Sequence, residues 1–378
     1  MRQELLKYLQ CRHCGSDFTP IVFKQENDEI IAGLIKCDRC NDTHLIVAGL
    51  PRFVEPSLLR FDEDYREFLK KYFDRDKYLA ELSAAENKKS AGENDLAELQ
   101  ENTSKYFGHE WDYFKDWGWI PDESVSDADK NLDFLGGLVS NTGRAFANKC
   151  LLTKNDLSDG KVILDAGCGN GRFSNEAARG GVTVIGVDLG YGVKSAYKHL
   201  KNNRNVYLIQ GDLFKLPFKK EIFDTAFSNG VLMHTGDAKK AFFSICKHVK
   251  KDGVFVAHLY HKRNIVFEAV DHSIRFFTTR MSIEKNMKFA KRMANWGKRL
   301  KNKGTWKYWF HFIEVLPTTI HMFDWYSAQI ATHHTFYEVE GWYEEQGFEV
   351  VQTDKRGKKW HSFITKPEAL TVKGKKIN

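Results

Sequence analysis

Apolar residues between Lys161 and Leu259 come in short runs, each closed by a polar residue or a glycine. Val162-Ile163-Leu164 ends at Asp165, and Val184 to Val187 ends at Asp188. Val206 to Ile209 leads into Gly211-Asp212, and Phe223 to Phe227 leads into Ser228-Asn229-Gly230. Short apolar runs without polar alternation read as strands buried on both faces, and stretches such as Phe173 to Arg179 between them read as helices. This repetition predicts a doubly wound α/β sheet whose ligand lies beyond the C-terminal strand ends, where the polar residues collect. A fifth strand is predicted at Val254 to Leu259 after a turn at Val249 to Gly253, with the chain returning to the sheet near 336–365.

The flanks are patterned differently. Thr19 to Phe23 and Ile30 to Ile35 carry β-branched residues around Asn27-Asp28, predicting a hairpin that His44 to Val54 completes. Residues 56–105 read as charged helix, with Tyr65, Phe68, Leu69 and Tyr72 at spacings of three and four, interrupted by a mobile break at Glu86 to Asp95. Tyr106, Phe107, Trp111, Tyr113 and Phe114 then place five aromatics in nine positions. Two roles are open to them: core packing, or a lid whose ring faces hold a cation or a flat ligand. Further on, Ile283, Asn286, Met287, Ala290, Met293 and Ala294 share one helical face, while Lys288, Lys291, Arg292, Lys298 and Arg299 lie opposite. Such a helix packs on its own domain, or meets a phosphate-bearing substrate, anionic lipid or RNA.

At 378 residues the chain exceeds one small core, so a large domain plus a smaller module is expected. Hydrophobic residues at 42% and charged residues at 28% exclude wholesale disorder. No run approaches the ~18 apolar residues that a spanning helix needs, and the first ten residues lack the apolar core of a signal peptide, which predicts a cytoplasmic protein. The net charge of +7 is unevenly spread: Glu55 to Asp133 holds 21 acidic and 11 basic residues, and Lys262 to Lys307 holds 13 basic and 3 acidic. The two segments face each other or solvate their own helices, or the basic one meets an anionic partner.

Four of the seven cysteines form two CxxC pairs, Cys11 with Cys14 and Cys37 with Cys40. Each pair turns two thiols to one side of a tight loop, and two such loops supply the sulfur set that structural Zn²⁺ prefers. A redox pair or a disulfide is the competing reading. His44 is a possible substitute ligand, and His13 reads as a surface histidine. The first 55 residues resemble the small zinc-ribbon proteins that activate RNA- and protein-modifying methyltransferases as a separate subunit, on the four cysteines, Gly33 and the Gly49-Leu50-Pro51-Arg52 ending.

The segment Asp165-Ala166-Gly167-Cys168-Gly169-Asn170-Gly171-Arg172 follows the first sheet strand. Glycines at alternate positions let the backbone turn and approach a ligand where a Cβ would collide. A nicotinamide fingerprint needs glycine at position 172, where Arg172 stands. With Asp188 and Asp212 closing the next two strands, the chain resembles the class I S-adenosylmethionine-dependent methyltransferases over roughly residues 140–262. The resemblance implies an α/β fold: a Rossmann-like, seven-stranded methyltransferase sheet with helices on both faces, beside the small β-rich zinc ribbon. It also implies a set of contacts. Asp165, Gly167, Gly169 and Gly171 would surround the methionine part of S-adenosyl-L-methionine, Asp188 and Leu189 would hold the ribose and flank the adenine, and Asp212 and Leu213 would meet the adenine. Asn229, Gly230 and Val231 would lie under the sulfonium. Family members usually carry proline-glycine where Asp252-Gly253 stands.

The expected organisation is a zinc ribbon at 1–55, a helical acidic linker with an aromatic cap at 56–135, a methyltransferase domain at 136–366 with a basic helical insertion at 262–330, and a mobile basic tail at 367–378. Methyl transfer demands alignment first and sometimes a base. If the acceptor is a hydroxyl, His234 is the expected helper, with His334 and Tyr326 from a C-terminal segment that closes over the pocket. The expected acceptor is an oxygen or nitrogen of a small molecule, glycan or lipid-linked intermediate. RNA held by the ribbon and the basic insertion is the alternative, although no Asn-Pro-Pro-Tyr-like base pocket follows the fourth strand.

Overall fold

The computed structural model describes residues 1–40, 42–59, 62–74, 76, 94–119, 141–304, 312–354 and 369–377. The predicted break at Glu86 to Asp95 falls largely outside these residues, as does most of the linker beyond Trp119.

Strands β5 (Val162–Ala166), β6 (Thr183–Asp188), β7 (Val206–Gly211), β8 (Phe223–Asn229) and β9 (Val249–Tyr260) run parallel. Neighbouring residues along each strand are divided between two cores. Leu164, Ile185, Ile209 and Phe255 face one side, and Ile163, Val184, Leu208 and Val256 face the other. That division explains why the runs are continuously apolar: a parallel sheet is covered by helices on both faces. Helices α6 (Ala238–Cys246) and α10 (Phe336–Glu345) cover the first face; α3 (Asn141–Cys150), α4 (Arg172–Ala178) and α5 (Gly192–Leu200) cover the second. A capping box between Thr335 and Glu338 starts α10.

The sheet continues through β9 to β11 (Ala369–Lys376) and β10 (Phe348–Thr353), giving the expected seven strands, in the order β7-β6-β5-β8-β9-β11-β10 with β11 antiparallel. The predicted mobile tail is therefore this strand. Lys373 donates to Asp156 at 2.7 Å and Lys376 to the Val249 carbonyl at 2.8 Å and both are buried, whereas Lys375 stays exposed beside Asp252. The predicted turn at Val249 to Gly253 is likewise part of β9, with Asp252 in left-handed backbone at φ +63°.

The N-terminal hairpins β1 (Phe18–Glu26), β2 (Glu29–Cys37), β3 (Thr43–Val47) and β4 (Leu50–Phe53) do not form a detached module. β4 pairs in parallel with β7, Arg52 opposite Gln210, so one sheet of 11 strands runs through both parts. Helix α1 (Glu63–Tyr72), capped by Asp62, buries Tyr65, Phe68 and Leu69 against the hairpins.

Helices α7 (Ile265–Thr278), α8 (Ile283–Asn302) and α9 (Thr319–Ser327) form a third core with Met233 and Tyr260. The apolar face predicted for α8 packs there through Met287, Ala290 and Ala294. Helix α2 (Asn94–Tyr113) crosses above the sheet's C-terminal edge, where Tyr106 donates to the Met281 carbonyl at 3.0 Å.

Candidate active site

The loop after β5 turns through left-handed backbone at Gly167 (φ +90°) and Gly169 (φ +53°). A Cβ on Gly167 would lie 2.2 Å from Val231, and one on Gly169 2.9 Å from the Trp111 ring. Glycine is required at both by conformation and by space. The loop forms one wall of a cavity of about 200 Å³ at the C-terminal ends of β5 to β9, and residues of α2 and α9 complete the lining.

Gly167, Gly169, Asp188, Leu189, Asp212, Leu213, Asn229, Gly230 and Val231 line this cavity. Asp188 accepts from the backbone N–H of Gly169 at 2.9 Å and of Gly190 at 2.8 Å, which fixes its carboxylate between the two loops. Burial raises its pKa and these two N–H groups oppose the rise. Asp212 caps the turn after β7 through Phe214 N–H at 2.9 Å, again with burial raising its pKa.

Asp165 and Gly171 lie outside the lining. The Asp165 carboxyl points at α4 and accepts from the Ser174 hydroxyl at 2.6 Å; burial pushes it up to about 7, opposed by that bond. Gly171 packs against α5, where a Cβ would stand 2.7 Å from Leu200 and 2.8 Å from Ala196.

Of the three histidine and tyrosine candidates, one reaches the cavity. His234 lines it, with Nδ1 2.5 Å from the Ile330 carbonyl. A carbonyl can only accept, so Nδ1 carries the proton and the lone pair lies on Nε2. Nε2 is buried without a hydrogen-bond partner and stands 4.0 Å from Asp324. Burial pushes this ring down to about 3, so it is uncharged at neutral pH. Tyr326 is instead core: it is 1% exposed, and its hydroxyl donates to the Glu314 carbonyl at 2.9 Å. His334 lies outside the lining, between Glu338 at 2.9 Å and Thr332 at 2.8 Å, because it sits at the N-terminus of α10.

Sequence patterning missed the charged residues that gather opposite the loop. Glu110 of α2, Lys149 of α3, Arg172 of α4 and Asp324 of α9 all line the cavity, and they are far apart in the chain. Asp324 accepts from the Tyr260 hydroxyl at 3.4 Å, and burial pushes it up to about 6. Burial also raises Glu110 well above its ordinary range, with Asp324 adding to the rise, and brings Arg172 down to about 10. The only signals were Arg172 in a glycine position, Glu110 inside the aromatic cluster and Asp324 two residues before Tyr326. The aromatic cluster divides between its two readings. Phe107 and Trp111 line the cavity, whereas Tyr106 and Phe114 pack on the α7–α9 core.

The four thiols of Cys11, Cys14, Cys37 and Cys40 come together with all sulfurs within 4.8 Å of one another. Cys11 to Cys40 and Cys14 to Cys37 are each 3.4 Å apart. A tetrahedral zinc with Zn–S near 2.3 Å needs sulfur–sulfur edges of about 3.8 Å, so the donor set fits that ion. Backbone N–H groups, first that of Cys40, bring the Cys37 thiol down to about 7. His44 stays outside the set, 3.0 Å from Asp42, and the exposed His13 is 3.8 Å from the same carboxylate. The cysteine-bearing hairpins reach the cavity through one buried chain. Arg52 donates to Gln210 at 2.5 Å, and Gln210 donates at 2.9 Å to the carbonyl of Leu189 in the cavity wall.

This combination of a parallel sheet, a glycine loop on the first strand and acids at the next two strand tips defines a nucleoside-binding α/β domain. Residues 157–314 match the family described as a methyltransferase domain. The segment is a class I S-adenosylmethionine-dependent methyltransferase domain; the match begins beyond the cysteine-bearing hairpins. Demethylmenaquinone methyltransferase of Corynebacterium kroppenstedtii is 33% identical over 98 residues, 26% of this chain and 41% of that protein. Malonyl-[acyl-carrier protein] O-methyltransferase of Buchnera aphidicola is 33% identical over 111 residues, covering 29% and 44%. Sterol 24-C-methyltransferase of Saccharomyces cerevisiae is 25% identical over 175 residues, covering 45% and 44%. The chain thus spans less than half the length of these relatives.

Proposed function

We propose that the protein transfers a methyl group from S-adenosyl-L-methionine to an oxygen or nitrogen of a small molecule, glycan or lipid-linked intermediate. The observation that carries this reading is the shared cavity: the Gly167–Gly169 wall and Asp188 face His234 and Asp324 across one space. The names of three relatives, which specify a demethylmenaquinone, a malonyl-[acyl-carrier protein] and a sterol, favour small or lipid acceptors, while a fourth relative is a tRNA U34 carboxymethyltransferase and keeps RNA as the second reading.

When bound, the cofactor supplies a methyl group already activated on a sulfonium. The chain's own part is to bind, to align and to manage one proton. Asp188 is assigned the ribose hydroxyls and Asp212 with Leu213 the adenine side; Gly167, Gly169 and Asn229 to Val231 leave room for the methionine and the sulfonium. The rings of Phe107 and Trp111 offer π faces to a cation. His234 Nε2 is assigned as the acceptor of the hydroxyl proton. Because burial disfavours the imidazolium, the Asp324 carboxylate beside it must stabilise the charge as it forms. Asp165 and Gly171 act one step back, holding α4 and α5 against the loop. Zinc on the four cysteines would fasten the ends of the hairpins and take no part in the reaction.

The test is incubation with isotope-labelled cofactor and fractionated host lysate, with and without nuclease. Label entering a nuclease-resistant small or lipid fraction supports the reading; label lost on nuclease treatment assigns the acceptor to RNA.

A further inference from the structure

Helix α7 is built inside out. Its buried positions are Phe267, Asp271, Arg275 and Thr278, three of them polar. These polar groups bond to the α9 segment: Arg275 donates to the carbonyls of Trp325 and Ala328, Thr278 donates to the Tyr326 carbonyl at 2.6 Å, and one carboxylate oxygen of Asp271 accepts from the Trp325 indole at 2.7 Å. The apolar residues point outward. Ile265 is 84% exposed, Val266 50%, Phe276 55% and Phe277 64%. At ~100° per residue these four, Ala269 and the small polar Ser273 occupy one arc of about 120°. No element among the described residues covers that arc. Ordinary surface helices expose polar residues, so a face of this kind marks a contact.

The surrounding charge selects the partner. Lys262 and Arg280 bracket the apolar arc, and α8 adds Lys285, Lys288, Lys291, Arg292, Lys298 and Arg299, all exposed. Glu284 is the one exposed acid over 262–304. Two copies of so basic a face would repel each other. Nucleic acid would answer the charge but leave Ile265 and Phe277 in water. Only a surface that is anionic outside and hydrocarbon beneath answers both.

We propose that α7 and α8 dock the protein on anionic bilayers, the outer face of α7 entering the interface while the lysines and arginines meet lipid headgroups. No helix among the described residues is long and apolar enough to cross a membrane, so the attachment is peripheral. The inner face of α7 is bonded to α9, which carries Ile320, His321 and Asp324 into the cavity. Docking therefore sets the acceptor side of the cavity one helix away from the lipid. This consequence rests on the proposed function and assigns the acceptor to amphiphiles presented at the membrane surface.

The test is co-sedimentation of the full chain with vesicles of phosphatidylcholine alone and of phosphatidylcholine with about one third phosphatidylglycerol, at low and high salt. The expected result is binding to the anionic vesicles only, weakened by salt. Phe276→Glu with Phe277→Glu should lower the partition at least about tenfold, and Lys298→Glu with Arg299→Glu should lower it and flatten its salt dependence. Both variants should keep the wild-type affinity for S-adenosylhomocysteine by calorimetry, which certifies their fold. Failure to bind anionic vesicles at low salt overturns the proposal, and so does a phenylalanine variant that binds as well as wild type. Dimerisation abolished by the phenylalanine pair in the absence of vesicle binding would assign the face to a second copy, and retention on RNA in place of vesicles would assign it to nucleic acid. Vesicle binding with no nucleoside affinity would instead contradict the proposed function and leave the docking surface standing.

Discussion

Asp188 and Asp324 occupy opposite sides of the cavity and do different work. Asp188 is held rigid by two backbone N–H groups, and its remaining lone pairs are free for a ligand's hydroxyls. Each hydrogen bond to such a charged group is worth about 1.5–3 kcal/mol. Loss of one such bond in Asp188→Ala should therefore raise the dissociation constant for S-adenosylhomocysteine roughly ten- to hundredfold in calorimetry. Asp324 is predicted to act through its charge. Its carboxyl is pushed up to about 6, so it is ionised above that pH and protonated below it. Turnover that depends on the carboxylate should be full above pH 7 and fall as pH drops through about 6. His234 stays uncharged throughout this range and adds no step. Asp324→Asn should lower kcat by roughly one to two orders of magnitude and remove that fall; an unchanged acid limb in the variant would reassign it to another group. Motif acids at strand tips were legible because one residue type at one strand end carries the signal. Glu110, Lys149 and Asp324 were not, since they meet only once three separate helices close over the sheet. Tyr326 and His334 failed for a related reason: residue type and segment pointed to the pocket, but the side chains turn into the α7–α9 core and along α10.

Among the elements, strands were read more faithfully than connections. The apolar runs of β5 to β8 are buried on both faces, so their period is unambiguous. Strand β11 was hidden because it looks basic. Its lysines reach Asp156, Glu221 and backbone carbonyls from inside the fold, and nothing local in the sequence announces those partners. Helix α7 misleads in the opposite way, carrying its polar residues inward. The hairpins β1 to β4 were legible as a ribbon, but not their junction with β7. That junction rests on Arg52, 2% exposed, paired with Asp62 at 3.3 Å and bonded to Gln210. Arg52→Ala leaves Asp62 with Lys194 at 2.8 Å as its remaining cation and removes the donor to Gln210, and should cost about 1–3 kcal/mol of stability. Thermal unfolding should show it, together with weaker nucleoside binding through the displaced Leu189 wall. At the other end of the hairpins, Cys37→Ser should lower zinc content by metal analysis and reduce the melting temperature. Full zinc and unchanged melting would overturn the metal assignment.

For the molecule as a whole, the single sheet of 11 strands makes the cysteine-bearing hairpins a structural extension of the methyltransferase domain. Four thiols gather at one end of that sheet, and its middle forms the cavity. Among helices α7 to α9, α9 contributes to the cavity lining while α7 and α8 turn an apolar, basic surface outward. Everything in this arrangement depends on the space between Gly167 and Asp188 being a nucleoside site. A crystal structure of the full chain grown with S-adenosylhomocysteine tests that directly. The ribose should lie within hydrogen-bonding distance of Asp188, with the methionine along Gly167 and Gly169 and the sulfur facing His234. A crevice filled by side chains, or the nucleoside bound elsewhere, would contradict the account.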